Sequence, residues 1–162
     1  MSSARVAPWR TYQVNVVLDA PLAFAFRWCT DYTPEDAKFA GEDRTIHLVR
    51  KIIERRKHRV VFENVYDQGR GWGWERHTVT LHPPDRWHSE GRGNYHESIL
   101  DYKLSPLSED RTRFEMHWRS RPVGLSVGPR PSAKIIERSV ENLWRKRARA
   151  LATEFRRSGA KT

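Results

Sequence analysis

Residues 132–157 read SAKIIERSVENLWRKRARALATEFRR, and their periodicity decides the fold. Ile136, Val140, Trp144, Ala148, Leu151 and Phe155 recur at steps of four or three, so they share one stripe of a helix. Ser132 is a good N-cap, and Gly159 follows where a helix would stop, so the spacing predicts a helix from Ser132 to about Arg157. A long helix with a single apolar stripe needs a surface to cover, and the rest of the chain supplies one.

Working upstream, Val123 to Pro131 is a Gly/Pro-rich connector. Before it, Arg44 to Ser120 is a series of short β-branched and aromatic runs. These are Thr45–Glu54, Arg59–Tyr66, Trp74–His82, Arg86–Gly91, Glu97–Leu104 and Thr112–Ser120. Turn residues separate them, notably Gln68-Gly69-Arg70-Gly71, Pro83-Pro84-Asp85 and Gly91-Arg92-Gly93-Asn94, as hairpins of an antiparallel meander require. At the start, Tyr12, Val14, Val16 and Leu18 alternate with polar residues as one more half-buried strand. Asp19-Ala20-Pro21 then reads as a helix start with Asp19 as cap, and Phe24 and Trp28 stand four apart on that helix. Thr33-Pro34-Glu35-Asp36 repeats the signature and predicts a second short helix to about Ala40. The expected architecture is α+β: a curved antiparallel sheet of about seven strands wrapped around the long C-terminal helix, with two short helices after the first strand. One domain spans residues 1–162.

Composition limits what such a domain does. Thirty basic residues against twenty acidic ones give +10, and between Ser132 and Thr162 nine basic residues face three acidic ones. An anionic partner such as nucleic acid, the ribosome or a membrane surface is therefore one expectation, although Arg145, Lys146, Arg147 and Arg149 wrap around the helix instead of lining one side. Cys29 is the only cysteine, which leaves out an internal disulfide and a thiolate metal cluster. No stretch has the length of a transmembrane span and the first ten residues carry no apolar signal core, so a cytoplasmic location is expected. No metal-ligand spacing, phosphate-binding glycine loop or nucleophile elbow occurs, and no cofactor is expected.

The order strand, two helices, meander, long helix resembles the helix-grip fold of the START and birch-pollen-allergen superfamily, often called SRPBCC. Three stretches carry the resemblance: Val14 to Pro21 followed by Phe24 and Asp31; His77 to Arg86 with its Pro-Pro turn; and Leu100 to Leu107 ahead of Thr112-Arg113-Phe114. The resemblance implies a cavity between sheet and helix that holds a small hydrophobic molecule such as a lipid, quinone or polyketide. We expect that cavity to be mainly apolar. Around Gly69-Arg70-Gly71-Trp72-Gly73-Trp74 the chain looks like polyketide aromatase/cyclases, which implies cyclase or dehydratase chemistry as an alternative. Those enzymes place an arginine on the following strand to hold a substrate oxygen; this sequence has Thr78 there, with Arg76 the closest guanidinium.

Candidate chemistry follows from strand parity. If Val79 and Leu81 face inward, so do Glu75 and His77. If Tyr102 and Leu104 face inward, so do His96 and Ser98, and the two histidines meet one cavity with a carboxylate beside them. A register slip of one residue would turn all of them outward. Trp74, Trp118 and Trp144 are candidates to stack on a planar ligand. Arg147, at the margin of the helix stripe, is a candidate anchor. The sequence leaves open whether a guest is held or turned over.

Overall fold

The alternation of the first strand is realised in β1 (Arg10–Leu18), which buries Tyr12, Val14, Val16 and Leu18 and exposes the residues between them. The structure is a computed structural model in which residues 6–36, 38, 49–67, 71–124 and 129–159 are described. β1 leads into α1 (Leu22–Cys29), whose N-cap is Pro21 and not Asp19. The ring of Pro21 holds φ at −60°, which suits an extended cap residue, and Asp19 instead faces Arg111 Nε at 3.5 Å. Residues 37 and 39–40 of the second expected helix lie outside the described residues, as do positions 45–48 of the second expected strand. What is described there is a turn around Thr33–Glu35, then buried Asp36 and Lys38.

The meander consists of β2 (Val49–Arg56), β3 (Arg59–Asp67), β4 (Trp72–His82), β5 (Arg86–Gly93), β6 (His96–Ser108) and β7 (Arg111–Pro122). With β1 they form one seven-stranded antiparallel sheet in the order β1-β7-β6-β5-β4-β3-β2. β6 runs past the expected end at Leu104 because pairing with β7 continues through Pro106, opposite Thr112. Pro106 is tolerated since the last partner β5 gives β6 is Arg86, opposite Lys103; beyond that point no neighbour on that side needs an N–H.

α2 (Ala133–Arg157) closes the fold, with the Ser132 hydroxyl accepting from Ile135 N–H as expected. Its Trp144 packs on Phe114, ring centroids 4.0 Å apart, and Leu151 is fully buried. α1 is tied to it by Trp28 Nε1 donating to Glu154 Oε2 at 2.8 Å and by an edge contact of Phe24 on Phe155. The core therefore lies between the inward face of the sheet, the stripe of α2 and α1. Each fully buried Leu, Val or Phe in it contributes about 1.5–3 kcal/mol.

Candidate functional site

Parity on β4 puts Gly73, Glu75, His77, Val79 and Leu81 inward, and on β6 it puts His96, Ser98, Leu100, Tyr102 and Leu104 inward. Glu75, His77 and His96 do meet. Glu75 Oε2 lies 3.0 Å from His77 Nε2, and Oε1 pairs with His96 Nε2 and accepts from the Tyr66 hydroxyl at 2.7 Å. The other nitrogen of His77, Nδ1, is 3.2 Å from Ser89 Oγ, and its ring stacks on Phe62. Two glycines make this possible. The Tyr66 ring lies where a Cβ on Gly73 would stand, and Gly91, between His77 and Ser98 in the sheet, has no room for a Cβ against Ser98 Oγ and His77 Cε1.

The charge of Glu75 in this cluster is fixed. Burial alone would raise the Glu75 carboxyl, but the hydrogen bonds and charge of His77 and His96 hold it well below the usual carboxylate range. Burial pulls His96 down, and the hydrogen bond and charge of Glu75 more than reverse that, so His96 is raised. Glu75 is thus a permanent anion that orients two rings, and it is not poised to take up a proton.

His77 alone of the three reaches the wall of a partly open pocket of about 160 Å³ between sheet and α2. Its lining is partly aromatic, with Trp87 and Tyr102 stacked 4.7 Å apart and Trp144 beyond them. Lys38, Arg50 and Arg147 line it as well, together with Asn64. Buried Asp36 organises the first two of these cations, pairing with Lys38 Nζ at 2.8 Å and with an Arg50 terminal nitrogen at 2.6 Å. Arg50 Nε donates to Asn64 Oδ1 and its guanidinium covers Phe62, while Arg147 lies over the Trp144 ring at 4.9 Å. Burial lowers Lys38 and Arg50, with Asp36 opposing the change in both. Burial pushes the Cys29 thiol up to about 12 and also raises Tyr102, so both stay protonated at neutral pH. Trp87 Nε1 is buried and makes no hydrogen bond; the Tyr32 hydroxyl is near enough to interact with it but not in bonding geometry.

Several expectations are corrected. The hollow is not mainly apolar: two buried cations, Lys38 and Arg50, the half-buried Arg147 and an amide share its lining with the rings. Trp74 and Arg76 lie on the outer face of β4, where Trp74 is exposed and Arg76 pairs with Glu63 at 2.5 Å; the parity that turns Glu75 inward turns both outward. Thr78 shares that outer parity, so the place next to Glu75 on the inner face belongs to His77. Trp118 faces inward but stacks on Tyr12, away from the pocket. Ser98 is buried beneath Gly91, and Tyr102, Trp144 and Arg147 stand at the pocket as expected. The residues that sequence reasoning missed are Lys38, Arg50 and Asn64. Asn64 was within reach, since it falls in the inward row Val60, Phe62, Asn64, Tyr66 of β3, where a polar residue is a signal.

Among the described residues no helix is long and apolar enough to cross a membrane, and no cluster of three or more His, Cys, Asp or Glu is placed to hold a metal ion. A seven-stranded curved sheet gripping a C-terminal helix, with a pocket between them, defines the chain's fold as the helix-grip fold of START and Bet v 1-like proteins. The solved structures it is similar to include the ZhuI aromatase/cyclase from Streptomyces sp. R1128, with TM-score 0.62, 12% identity, and 93% of this chain and 95% of that one covered. They also include a START superfamily protein from Mycobacterium smegmatis, with TM-score 0.63, 12% identity, and coverage of 91% and 97%. Ara h 8.0201 is similar too, with TM-score 0.63, 10% identity, and coverage of 91% and 98%. No protein-family model matches the sequence, and no curated protein is matched by it.

Proposed function

We propose that the protein binds a small ring-bearing molecule carrying acceptor oxygens, in the pocket between the sheet and α2. The observation that carries this reading is a set of aromatic rings, Trp87 stacked on Tyr102 with Trp144 edge-on beyond, sharing one pocket with the cations Lys38, Arg50 and Arg147. Rings take a flat guest on their faces, and cations beside them pair with its oxygens. The volume favours a small guest: a cavity of roughly 150 Å³ admits one benzene-sized ring, so a fused polycycle would have to extend out through the pocket's open side. The hydrophobic-carrier reading is thereby narrowed to a compact, oxygen-bearing ligand.

Native mass spectrometry of freshly isolated protein, followed by titration with benzoate and 4-hydroxybenzoate against tryptophan fluorescence, tests this. Binding that is lost in Arg147→Met and Trp144→Ala supports it. Protein that carries no small molecule and whose fluorescence neither compound changes would sink it.

Acid–base catalysis of the aromatase/cyclase kind is the second reading, favoured by His77 at the pocket wall with Glu75 paired behind it and by the cyclase among the structural neighbours. The geometry is less favourable to it, because both ring nitrogens of His77 are engaged inside the protein. Catalysis requires Ser89 to release Nδ1. Deuterium uptake next to the carbonyl of cyclohexanone, measured with and without Ser89→Ala, separates the readings: a rate above buffer that rises in the variant supports catalysis, and a rate equal to buffer in both leaves binding alone.

A further inference from the structure

β1 is an edge strand, bonded to β7 on one side only. In an antiparallel ladder the N–H and C=O of alternate residues point to the same side. Gln13 N–H donates to Glu137 Oε1 of α2, so the free edge of β1 carries the backbone groups of Gln13, Asn15 and Val17. Glu137 satisfies the first of these N–H groups. Past it, β1 and α2 flank a groove of about 640 Å³ whose walls include Asn15, Val17, Arg113, Arg145, Arg149 and Arg156. Among the described residues nothing bonds to the outward backbone groups of Asn15 and Val17. An open strand edge is a template for another strand, and proteins normally cover or charge it.

The groove is strongly positive. Its four arginines face one carboxylate, Asp19, which is already near Arg111. Arg145 pairs with Glu141 and Arg156 reaches Thr153, but among the described residues the side chains of Arg113 and Arg149 have no partner. Arg113 shares the outer face of the sheet with Val17, its register partner, whereas Arg145, Arg149 and Arg156 come from the helix. A strand added here would thus meet arginine on both of its faces. Val17, 41% exposed, offers an apolar contact between them.

We infer that the groove between β1 and α2 docks an extended acidic peptide segment of a partner protein by adding a strand to β1. The backbone decides between peptide and nucleic acid. Phosphates supply acceptors only, and the donors of ribose and bases do not repeat at the spacing of a strand, whereas a peptide backbone supplies donors and acceptors in the spacing of the edge.

The test uses the full chain and a short peptide alternating glutamate with threonine, with an oligouridylate of equal charge as the competing probe. Expected are saturable peptide binding that weakens with salt, slowed amide exchange at Asn15 and Val17, and affinity reduced at least about tenfold by Arg113→Glu with Arg149→Glu. Val17→Pro removes one outward N–H without touching the β7 ladder and should abolish binding. No peptide binding, binding without slowed exchange at those two amides, or tighter binding of the oligouridylate overturns the inference. The exchange measurement needs no variant, so the result stands even if Val17→Pro fails to fold.

Discussion

The two ends of the layer between sheet and helix are built on opposite principles. Where β1, β6 and β7 meet α2, the interior is Val14, Leu18, Leu104, Phe114 and Leu151, all at most 1% exposed. Where β2, β3 and β4 pass the turn after α1, the interior holds Asp36, Lys38, Arg50, Asn64 and Glu75, and it keeps a hollow. Burying ions costs several kcal/mol each before their mutual attraction is counted, and hydrophobic residues of the same volume would often be as stable or better. The first region holds the fold, and the second retains charge where stability alone does not ask for it. That contrast is the physical reason for placing ligand binding at the β2–β4 end.

The largest effect is expected at the dry end. Phe114→Ala removes a ring that touches Trp87, Tyr102 and Trp144, and should cost about 3–5 kcal/mol in denaturant unfolding. A loss below 1 kcal/mol would mean that the dry end is not the source of stability. Asp36→Ala comes next, at about 3 kcal/mol, because it leaves Lys38 and Arg50 buried without their counter-charge. The sharper experiment replaces the whole set, with Asp36→Leu, Lys38→Met and Arg50→Met. Stability should hold or rise by about 1–4 kcal/mol while benzoate binding disappears. If binding survived, the charges would serve something other than the ligand.

The dry end was legible in the sequence because it obeys periodicity. The stripe from Ile136 to Phe155 and the alternation from Tyr12 to Leu18 place their residues without any knowledge of partners. Glu75, His77 and His96 were also legible, since parity carried them in with Val79 and Tyr102. The same rule turns Trp74 and Arg76 outward, whatever the chemistry of their side chains. The cationic wall was not legible in that way. Lys38 and Arg50 are buried only because Asp36 and Asn64 meet them, and that is a contact between segments no local pattern records. Asp19 failed as a cap for a different reason: the start of α1 is set by the ring of Pro21, and Asp19 is left near Arg111.

Gly91 lies at the border of the two regions, and the effect there should be smaller. Gly91→Ala places a Cβ against Ser98 Oγ and 2.8 Å from His77 Cε1, so the strand or the imidazole must shift. The expected cost is about 1–3 kcal/mol, the range for overpacking. Ser98→Ala in the same chain should recover part of it, whereas the shift of His77 against Phe62 remains, and with it a weakened benzoate affinity. Full recovery of both stability and affinity would show that His77 does not shape the pocket.

The smallest effect is a pH dependence that tells whether the Glu75 cluster is scaffold or catalyst. His96 is raised above 6.5, so the stability it draws from Glu75 is complete below its unfolded value and is lost as pH rises through its folded one. Glu75 is held below 4.5, so its contribution is present above that value and lost as pH falls through its folded one. Together they give a plateau between about 4.5 and 6.5 with a decline on either side. The alkaline limb should be shallow, on the order of 1 kcal/mol or less, because the His96 side chain is 34% exposed and water screens the pair. Glu75→Gln should remove both limbs and bring the His96 ring midpoint, followed by NMR, down to or below its ordinary value. A midpoint that stays raised in the variant would assign the shift to some other group and detach His96 from the cluster. If instead benzoate binding tracked the His96 titration, the network would be sensing the guest and not merely holding the strands beneath it.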